Sequence, residues 1–159
     1  MNKAIFLDRD GIINKEIGDY VYKLEEFEIN EGVVEALKYW RSKGYKLIII
    51  TNQGGIAKGM YSHEDVHLLH QYLHTFLNQE GIHLDAIYYS PHHPDFGNSL
   101  SRKPGSLMIE KALARFDLDP KQSVMIGDRP RDIEAAEGAG VRGILVDANT
   151  DLRSLVERV

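Results

Sequence analysis

Two aspartates, Asp8 and Asp10, follow directly on the apolar run Ala4-Ile5-Phe6-Leu7 and precede a glycine. A short apolar run bounded by turn residues is typical of a buried strand, and extended backbone points residues i and i+2 to the same side. Two carboxylates that close repel each other unless a cation or a shared proton relieves the repulsion. The pattern therefore indicates either a cation-binding site or a solvated acidic turn, and the rest of the sequence must decide.

Five short apolar runs, each followed by a polar residue or a glycine, are predicted to be buried strands: Ala4–Leu7, Lys46–Ile50, Ala86–Tyr89, Ser123–Ile126 and Gly143–Val146. Nearly continuous apolar strands are typical of a parallel sheet that is covered on both faces. Helices are predicted over Glu31–Lys43, Ser62–Glu80, Ser106–Phe116, Asp132–Ala139 and Leu152–Val159. This alternation predicts an α/β fold, a doubly wound three-layer sandwich around a mainly parallel five-stranded sheet, with residues 1–159 as a single domain.

The predicted fold places several polar side chains at one edge of the sheet. Ligands of open α/β sheets bind beyond the carboxyl ends of the strands. Asp8, Asp10, Thr51 and Asp128 all follow or end predicted strands and should lie at this edge. Carboxylates that converge from distant parts of the sequence favour a cation site over a solvated acidic turn.

Two segments lack a regular pattern. Residues 12–30 mix polar and aromatic residues and are predicted to form a flap or hairpin over the sheet edge, and residues 91–104 form a long loop with three prolines. Long loops of this kind are usually functional. Neither segment is long enough for a folded module, so we expect no large cap domain.

Composition excludes several classes of partner. The chain has 159 residues, 43% of them hydrophobic and 27% charged, with a net charge of −5 and no basic run, which argues against nucleic acid. No apolar run approaches the ~20 residues of a membrane span. The sequence has no cysteine, so it forms neither disulfides nor thiolate metal sites. We expect a cytoplasmic monomer that binds a small molecule.

Three further motifs carry less weight. His63-Glu64-Asp65-Val66-His67 matches H-E-x-x-H, but it lies in the first turn of a predicted helix and continues as His70 and His74, which indicates a polar stripe on a solvated face. Residues 138–143 match G-x-G-x-x-G in the order helix, turn, strand, the reverse of a dinucleotide site. His92 and His93 are kept only as candidate substrate-loop residues.

Four separated motifs resemble those of the haloacid-dehalogenase superfamily of phosphohydrolases: Asp8-Arg9-Asp10-Gly11, Thr51–Ile56, Arg102-Lys103-Pro104 and Gly127–Asp132. The resemblance covers essentially the whole chain in order, spacing and strand placement. Within the superfamily, Asp8–Asn14, Tyr20-Val21, Thr51–Gly59 and Tyr88–Pro94 are similar to the small histidinol-phosphate and D-glycero-D-manno-heptose 1,7-bisphosphate phosphatases.

This resemblance implies a role for each motif. Asp8 would be the nucleophile that forms an aspartyl-phosphate, and Asp10 the acid and base. Mg²⁺ would be held by Asp8, the backbone carbonyl of Asp10, and Asp128. Thr51 would hold the phosphoryl group and Lys103 would neutralise it. The expected substrate contacts are Asn52, Gln53, Arg102, Arg129, Glu16 and Tyr20. Asp132 would orient Lys103 or a metal-bound water, or would complement the dipole of its helix.

The sequence departs from the family pattern in one place. The family loop commonly carries a zinc site of cysteines and a histidine, and the matching positions here are Ser90, His92, Ser99 and Ser101. Since neutral serine is not a usual zinc ligand, we expect no structural zinc and a loop held by packing and hydrogen bonds alone.

Three functions remain open at this point. The chain is predicted to be a Mg²⁺-dependent phosphomonoester hydrolase that acts on a sugar phosphate, the heptose bisphosphate, because Arg102 can grip a second phosphate with two hydrogen bonds. A second cationic pocket beside Arg102 would favour this substrate. An acidic contact for an amine would favour histidinol phosphate instead. The third possibility is a non-catalytic domain that binds a phosphate ligand.

Overall fold

The computed structural model describes all 159 residues and contains one five-stranded sheet. The strands are β1 (Lys3–Leu7), β2 (Tyr45–Asn52), β3 (Ala86–Ser90), β4 (Val124–Gly127) and β5 (Arg142–Leu145). Their order in the sheet is β3-β2-β1-β4-β5, and every neighbouring pair is parallel. The predicted α/β fold with a parallel five-stranded sheet is confirmed, and β1 lies at the centre.

Four α-helices connect the strands: α1 (Val33–Ser42), α2 (His63–Gln79), α3 (Leu107–Arg115) and α4 (Pro130–Gly138). Helix α2 begins with the predicted capping box, in which Ser62 and Asp65 bond each other's backbone N–H groups. Helix α1 begins at Val33 rather than Glu31 because Gly32 has a φ of 80°, in the left-handed region. Short 3₁₀ turns cover Leu24–Glu26, Pro94–Phe96, Pro120–Gln122 and Leu152–Leu155.

The helix predicted over Leu152–Val159 is wrong. The chain forms only a 3₁₀ turn over Leu152–Leu155, and turns follow it. Leu152 and Leu155 are both buried, and their spacing of three residues matches the period of a 3₁₀ helix. A terminal segment of eight residues is also too short to sustain an α-helix without more packing.

Two apolar clusters cover the opposite faces of the sheet. The larger joins alternate strand residues, including Ile5 and Leu7, to α1, α2 and the C-terminal turn. The smaller joins Ala4 and Phe6, from the other face of β1, to α3 and α4. Each strand is therefore covered on both sides, and the molecule is the predicted three-layer sandwich.

The flap, residues 12–30, is anchored by its apolar side chains rather than by strand pairing. Its only antiparallel pairing is a single bridge between Asn14 and Ile29, so the segment is a flap rather than a regular hairpin. Ile13, Val21 and Phe27 are buried in the larger cluster. The flap is thereby fixed beside the carboxyl ends of the strands. None of the helices combines the length and the apolar character needed to cross a membrane.

Candidate active site

The carboxyl ends of three central strands bring Asp8, Asp10 and Asp128 to one cavity. Asp8 follows β1 and still donates its backbone N–H to Ile126 of β4 at 3.0 Å. Thr51 is the last residue but one of β2, and Asp128 follows β4. The cavity has a volume of about 310 Å³, and its lining residues are Asp8, Asp10, Glu16, Gly18, Asp19, Tyr20, Asn52, Asp128, Arg129 and Arg131.

Three carboxylates form a cluster at the base of this cavity. Asp8, Asp128 and Asp132 each offer one oxygen, and the three oxygens lie within 4.8 Å of one another. Oδ1 of Asp128 is buried and has no hydrogen-bond partner. Burial raises the pKa of Asp8, and the nearby carboxylates raise it further although Lys103 opposes them. A hard divalent cation with oxygen ligands fits this donor set and would relieve its repulsion.

Gly11 gives the carboxylate cluster its space. Its φ is +88°, a left-handed conformation that residues with a side chain rarely adopt. A Cβ at this position would overlap Oδ2 of Asp128. Glycine is thus required here both by the turn and by the close approach of Asp128.

Lys103 is a buried cation that contacts two of the three carboxylates. Its Nζ lies 3.0 Å from Asp8 Oδ1 and 2.6 Å from Asp132 Oδ1, and it donates to the carbonyl of Ile50 at 2.7 Å. Burial alone would lower the pKa of Lys103, but Asp8 and Asp132 raise it above its ordinary value, so the amine is charged. Asp132 contacts Lys103, which is the first of the roles predicted for it.

Asp10 is held as a carboxylate by four hydrogen bonds. Arg9 donates to Oδ1 through Nε at 3.3 Å and Nη2 at 2.8 Å, and Asn14 donates to the same oxygen at 2.9 Å. Gln53 donates to Oδ2 at 3.1 Å. Burial would raise the pKa of Asp10, but the charge of Arg9 and these hydrogen bonds lower it below its ordinary value. Asp10 is therefore ionised in the free protein at neutral pH.

The end of β2 and the residue after it are linked to the loops that carry Asp10 and Lys103. Thr51 is buried, and its hydroxyl accepts a hydrogen bond from Gln53 at 3.1 Å. The Asn52 amide bonds both backbone groups of Lys103, at 3.0 Å and 3.1 Å. Gln53 also accepts from the Tyr61 hydroxyl at 2.7 Å and is buried behind Asp10. Of these three, only Asn52 lines the cavity, so the structure brings neither Thr51 to the position predicted for phosphoryl contact nor Gln53 to the position predicted for substrate contact.

Two arginines line the cavity, and a third lies just outside it. Arg129 and Arg131 line it, at the N-terminal end of α4. Arg102 lies just outside the lining and donates to the carbonyl of His92 at 2.7 Å. Burial, and after it the charge of Arg131, lower the pKa of Arg102. Arg131 is absent from the sequence-based predictions, although it lies only two residues after Arg129.

The flap contributes the polar wall of the cavity. Glu16 and Tyr20 line it as predicted, and Asp19 joins them. The carboxylates of Glu16 and Asp19 accept hydrogen bonds from the backbone N–H groups of Gly18 and Tyr20, at 2.8 Å and 2.7 Å. These two acidic side chains are therefore partly committed to the turn of the flap.

The histidine stripe of α2 is only partly on a solvated face. His63 and His67 are exposed, and both contact the hydroxyl of Tyr89, at 2.7 Å and 3.1 Å. The same prediction is wrong for His70, which is buried and lies 3.3 Å from Nη1 of Arg9. His70 follows Leu69 and precedes Leu73, both in the core, so its position on the helix faces the sheet edge.

Serine hydroxyls occupy the loop positions where the family pattern has cysteines. Ser90 Oγ lies 2.9 Å from Ser101 Oγ, which lies 3.0 Å from Ser99 Oγ. Ser90 is fully buried. These contacts tie residues 99–101, directly before Arg102 and Lys103, to the end of β3.

Comparison with known proteins identifies the family. The HAD-hydrolase-like family profile matches residues 100–158. D-glycero-beta-D-manno-heptose-1,7-bisphosphate 7-phosphatases are 40% identical over 147 residues in Haemophilus influenzae (89% of this chain, 79% of the relative) and 44% over 154 residues in Helicobacter pylori (96% and 88%). The crystal structure of D,D-heptose 1,7-bisphosphate phosphatase from B. bronchiseptica, complexed with magnesium and phosphate, superposes with a TM-score of 0.86 at 32% identity, covering 98% of this chain and 86% of that one.

A parallel sheet with carboxylates and a buried lysine at its carboxyl edge can hold a divalent cation and a phosphate, which fits the class of phosphohydrolases. The chain belongs to the haloacid-dehalogenase-like phosphatases, together with the heptose-bisphosphate phosphatases that it matches over nearly its whole length.

Proposed function

We propose that the chain hydrolyses D-glycero-D-manno-heptose 1,7-bisphosphate with Mg²⁺, through an aspartyl-phosphate. The observation that carries this proposal is that a single cavity has two charged regions, one at its base and one at its rim. Carboxylates line its base, where one phosphoryl group would react, and Lys103 lies behind Asp8; Arg129 and Arg131 lie at its rim, with Arg102 just outside the lining. A substrate with two phosphates matches both parts.

Mg²⁺ fits the base of the cavity. Asp8, Asp128 and the backbone carbonyl of Asp10 would hold the ion, and the unpartnered Oδ1 of Asp128 supports this assignment. Asp132 belongs to the same carboxylate cluster but is already paired with Lys103. When bound, the ion supplies positive charge to the carboxylates and to the phosphoryl oxygens.

Asp8 is suited to be the nucleophile. Lys103 and the backbone N–H of Arg9 both bind Oδ1 of Asp8, at 3.0 Å and 2.9 Å, which leaves the other oxygen without a protein donor. In the first step an Asp8 oxygen bonds to phosphorus while the bond from phosphorus to the sugar oxygen breaks. Lys103 keeps the carboxylate in place and balances the charge of the phosphoryl group.

Asp10 would transfer the protons of both steps. Its pKa is low in the free protein, and the negative charge of a bound phosphate next to it raises the pKa, so that Asp10 can carry a proton in the complex. That proton passes to the leaving sugar oxygen. In the second step Asp10 takes a proton from water, the water oxygen bonds to phosphorus, and the bond to Asp8 breaks, which releases phosphate.

The rim of the cavity favours the bisphosphate over histidinol phosphate. The arginines at the rim provide a second cationic pocket, which is the feature expected of a site for the bisphosphate. Glu16 and Asp19 are the groups that could meet the amine of histidinol phosphate, and they make that compound the second candidate. Both already accept backbone hydrogen bonds within the flap. The bisphosphate is therefore the better match.

The test is phosphate release with Mg²⁺ from the two compounds side by side, with Asp8→Asn as the control. A preference for the bisphosphate that the control abolishes would support the proposal. We further expect Arg131→Ala to raise KM for the bisphosphate about tenfold, the loss of roughly one charge-assisted hydrogen bond, with a much smaller effect on a monophosphate. A preference for histidinol phosphate, or an equal effect of Arg131→Ala on the bisphosphate and on the monophosphate, would contradict the proposal.

A further inference from the structure

Arg9, between the two active-site aspartates, is a fully buried cation. Its guanidinium group binds Asp10 through Nε and Nη2, and Nη2 also donates to the carbonyl of Val21 in the flap at 2.9 Å. The ring of Phe27 lies 5.6 Å from its central carbon. A buried guanidinium needs a partner for each donor, because an unpaired donor away from water costs free energy.

His70 is the one hydrogen-bond partner of Nη1 of Arg9, with its Nε2 at 3.3 Å. Arginine has no acceptor atom, so Nε2 of His70 must accept and the ring proton must lie on Nδ1. Burial and the charge of Arg9 lower the pKa of His70 to about 3, which keeps the ring neutral and Nε2 free to accept. The ring of Tyr89 packs edge-on against His70, with centroids 5.9 Å apart, and limits its rotation.

We propose that His70 is a positioning residue for Asp10, and that it acts through Arg9. The chain of contacts runs from α2 through Nε2 of His70 to Arg9, and from Arg9 to Oδ1 of Asp10. Besides the carbonyl of Val21, His70 is the only hydrogen-bond partner of the guanidinium group outside Asp10, and it is the only one that holds Nη1, so this contact fixes the orientation in which the other two nitrogens meet the carboxylate. The inference rests on the proposed role of Asp10 in proton transfer.

Removal of the acceptor should affect the chemical step more than substrate binding. Neither His70 nor Arg9 lines the cavity, and the proposed phosphate contacts at the rim come from α4. His70→Leu keeps a buried side chain of similar size but leaves Nη1 unpaired. The guanidinium can then turn, and Asp10 loses the fixed position from which it reaches the leaving oxygen.

Three variants separate positioning from packing. His70→Leu removes the acceptor, His70→Gln places an amide oxygen near the position of Nε2, and His70→Asn carries a polar group that is too short to reach Arg9. His74→Leu is the matched control, because His74 lies one helical turn further along α2 and has no contact with Arg9. Each variant is assayed for kcat and KM on the bisphosphate and on 4-nitrophenyl phosphate, and for its melting temperature.

We expect His70→Leu and His70→Asn to lower kcat on the sugar phosphate by roughly 10- to 100-fold, less than the roughly 10²- to 10⁴-fold that a general acid contributes in full, with KM changed less than about threefold. The loss on 4-nitrophenyl phosphate should be several-fold smaller, because nitrophenolate leaves without a proton. His70→Gln should restore most of the rate. Equal losses on both substrates, a change confined to KM, or a Gln variant no better than Asn would overturn the proposal.

A measurement without turnover keeps this test independent of the proposed function. The Arg9 side-chain Nε–H should give a slowly exchanging NMR signal in the wild type, because it is buried against Asp10. Protection should be retained in His70→Gln and lost in His70→Asn. If the wild type hydrolysed neither ester, the proposed function would fail, while this signal would still decide whether His70 orients Arg9.

Discussion

At the scale of single residues, Lys103 is a buried charge that the active site must compensate with buried partners. Its ammonium group is 1% exposed and is bound by Asp8, Asp132 and a backbone carbonyl. Buried ion pairs add little stability as pairs, but the loss of one partner leaves an uncompensated charge. The amine is therefore needed both for the fold of the site and for its proposed chemistry.

Lys103→Met should be costly in both respects. We expect the free energy of unfolding to fall by about 3–5 kcal/mol, the usual cost of breaking a buried pair, and kcat to fall at least about 100-fold. Thermal unfolding and phosphate release measure the two effects. Lys38→Met, which removes an exposed pair with Glu80, is the control and should change neither by much. A stable and active Lys103→Met variant would contradict the assigned role.

The carboxylate cluster predicts how pH and metal act together. The folded-state pKa of Asp8 is raised from 3.8 to about 8, so the folded protein binds protons more tightly than the unfolded chain. Without metal, this group therefore destabilises the fold as pH rises through that interval. Mg²⁺ needs the deprotonated carboxylates, so its stabilising effect should grow over the same interval.

We expect saturating Mg²⁺ to raise the melting temperature by about 5–10 °C near pH 8, from roughly 2.7 kcal/mol of binding free energy at a hundredfold excess over Kd. The rise should be much smaller near pH 5. Differential scanning fluorimetry with and without EDTA measures it, and Asp128→Asn serves as the control that should lose the effect. A rise that is independent of pH would argue against binding at these carboxylates.

At the scale of secondary-structure elements, the turn after β1 requires glycine at position 11. Gly11→Ala should abolish activity, because the added Cβ overlaps Asp128 and the left-handed φ is strained. Gly59→Ala is a matched control: Gly59 also has a positive φ, but a Cβ there would meet no atom within 4 Å. It should cost about 1–2 kcal/mol of stability and leave kcat unchanged. Equal effects of the two substitutions on kcat would show that backbone strain, not space for Asp128, matters.

The loop of residues 91–104 is expected to depend on the serine contacts that join it to the end of β3. Ser90→Ala should lower the free energy of unfolding by about 1–2 kcal/mol, because Ser101 loses a buried partner, and should raise KM through the displaced Arg102. Ser42→Ala, at an exposed position, is the control. Treatment with a strong zinc chelator, followed by added Mg²⁺, should leave activity intact. A lasting loss of activity after chelation would contradict a loop held by hydrogen bonds alone.

At the scale of the whole molecule, the fold and much of the site follow from strand patterning. Asp8 and Asp128 could be placed together from sequence because parallel strands end at one edge. Arg131 and the burial of His70 could not be read in this way, since they depend on how α4 and α2 are rotated against the sheet. The end of the chain was mispredicted as an α-helix because Leu152 and Leu155 suit either helical period, and packing alone selects the 3₁₀ turn.

The rim arginines lie in an acidic molecule and beside acidic side chains. The chain has a net charge of −5, and the cavity lining that includes Arg129 and Arg131 also includes five carboxylates. Attraction of an anionic substrate is therefore local and should be screened by salt, because the Debye length falls from about 10 Å at 0.1 M to about 3 Å at 1 M. We expect KM for a bisphosphate to rise several-fold over this range and KM for a monophosphate to rise less. A KM that salt does not change would show that the rim arginines do not attract substrate.

The side-chain amide of Asn52, at the end of β2, forms two hydrogen bonds with the backbone N–H and carbonyl of Lys103, in the way that a neighbouring strand would. These hydrogen bonds hold Lys103 in place whatever course the preceding loop takes to reach it. Residues 94–98, which are exposed, lie on that path. This stretch can be lengthened, shortened or exchanged during evolution without moving the lysine, which makes it a natural place to alter substrate range while the chemistry stays the same.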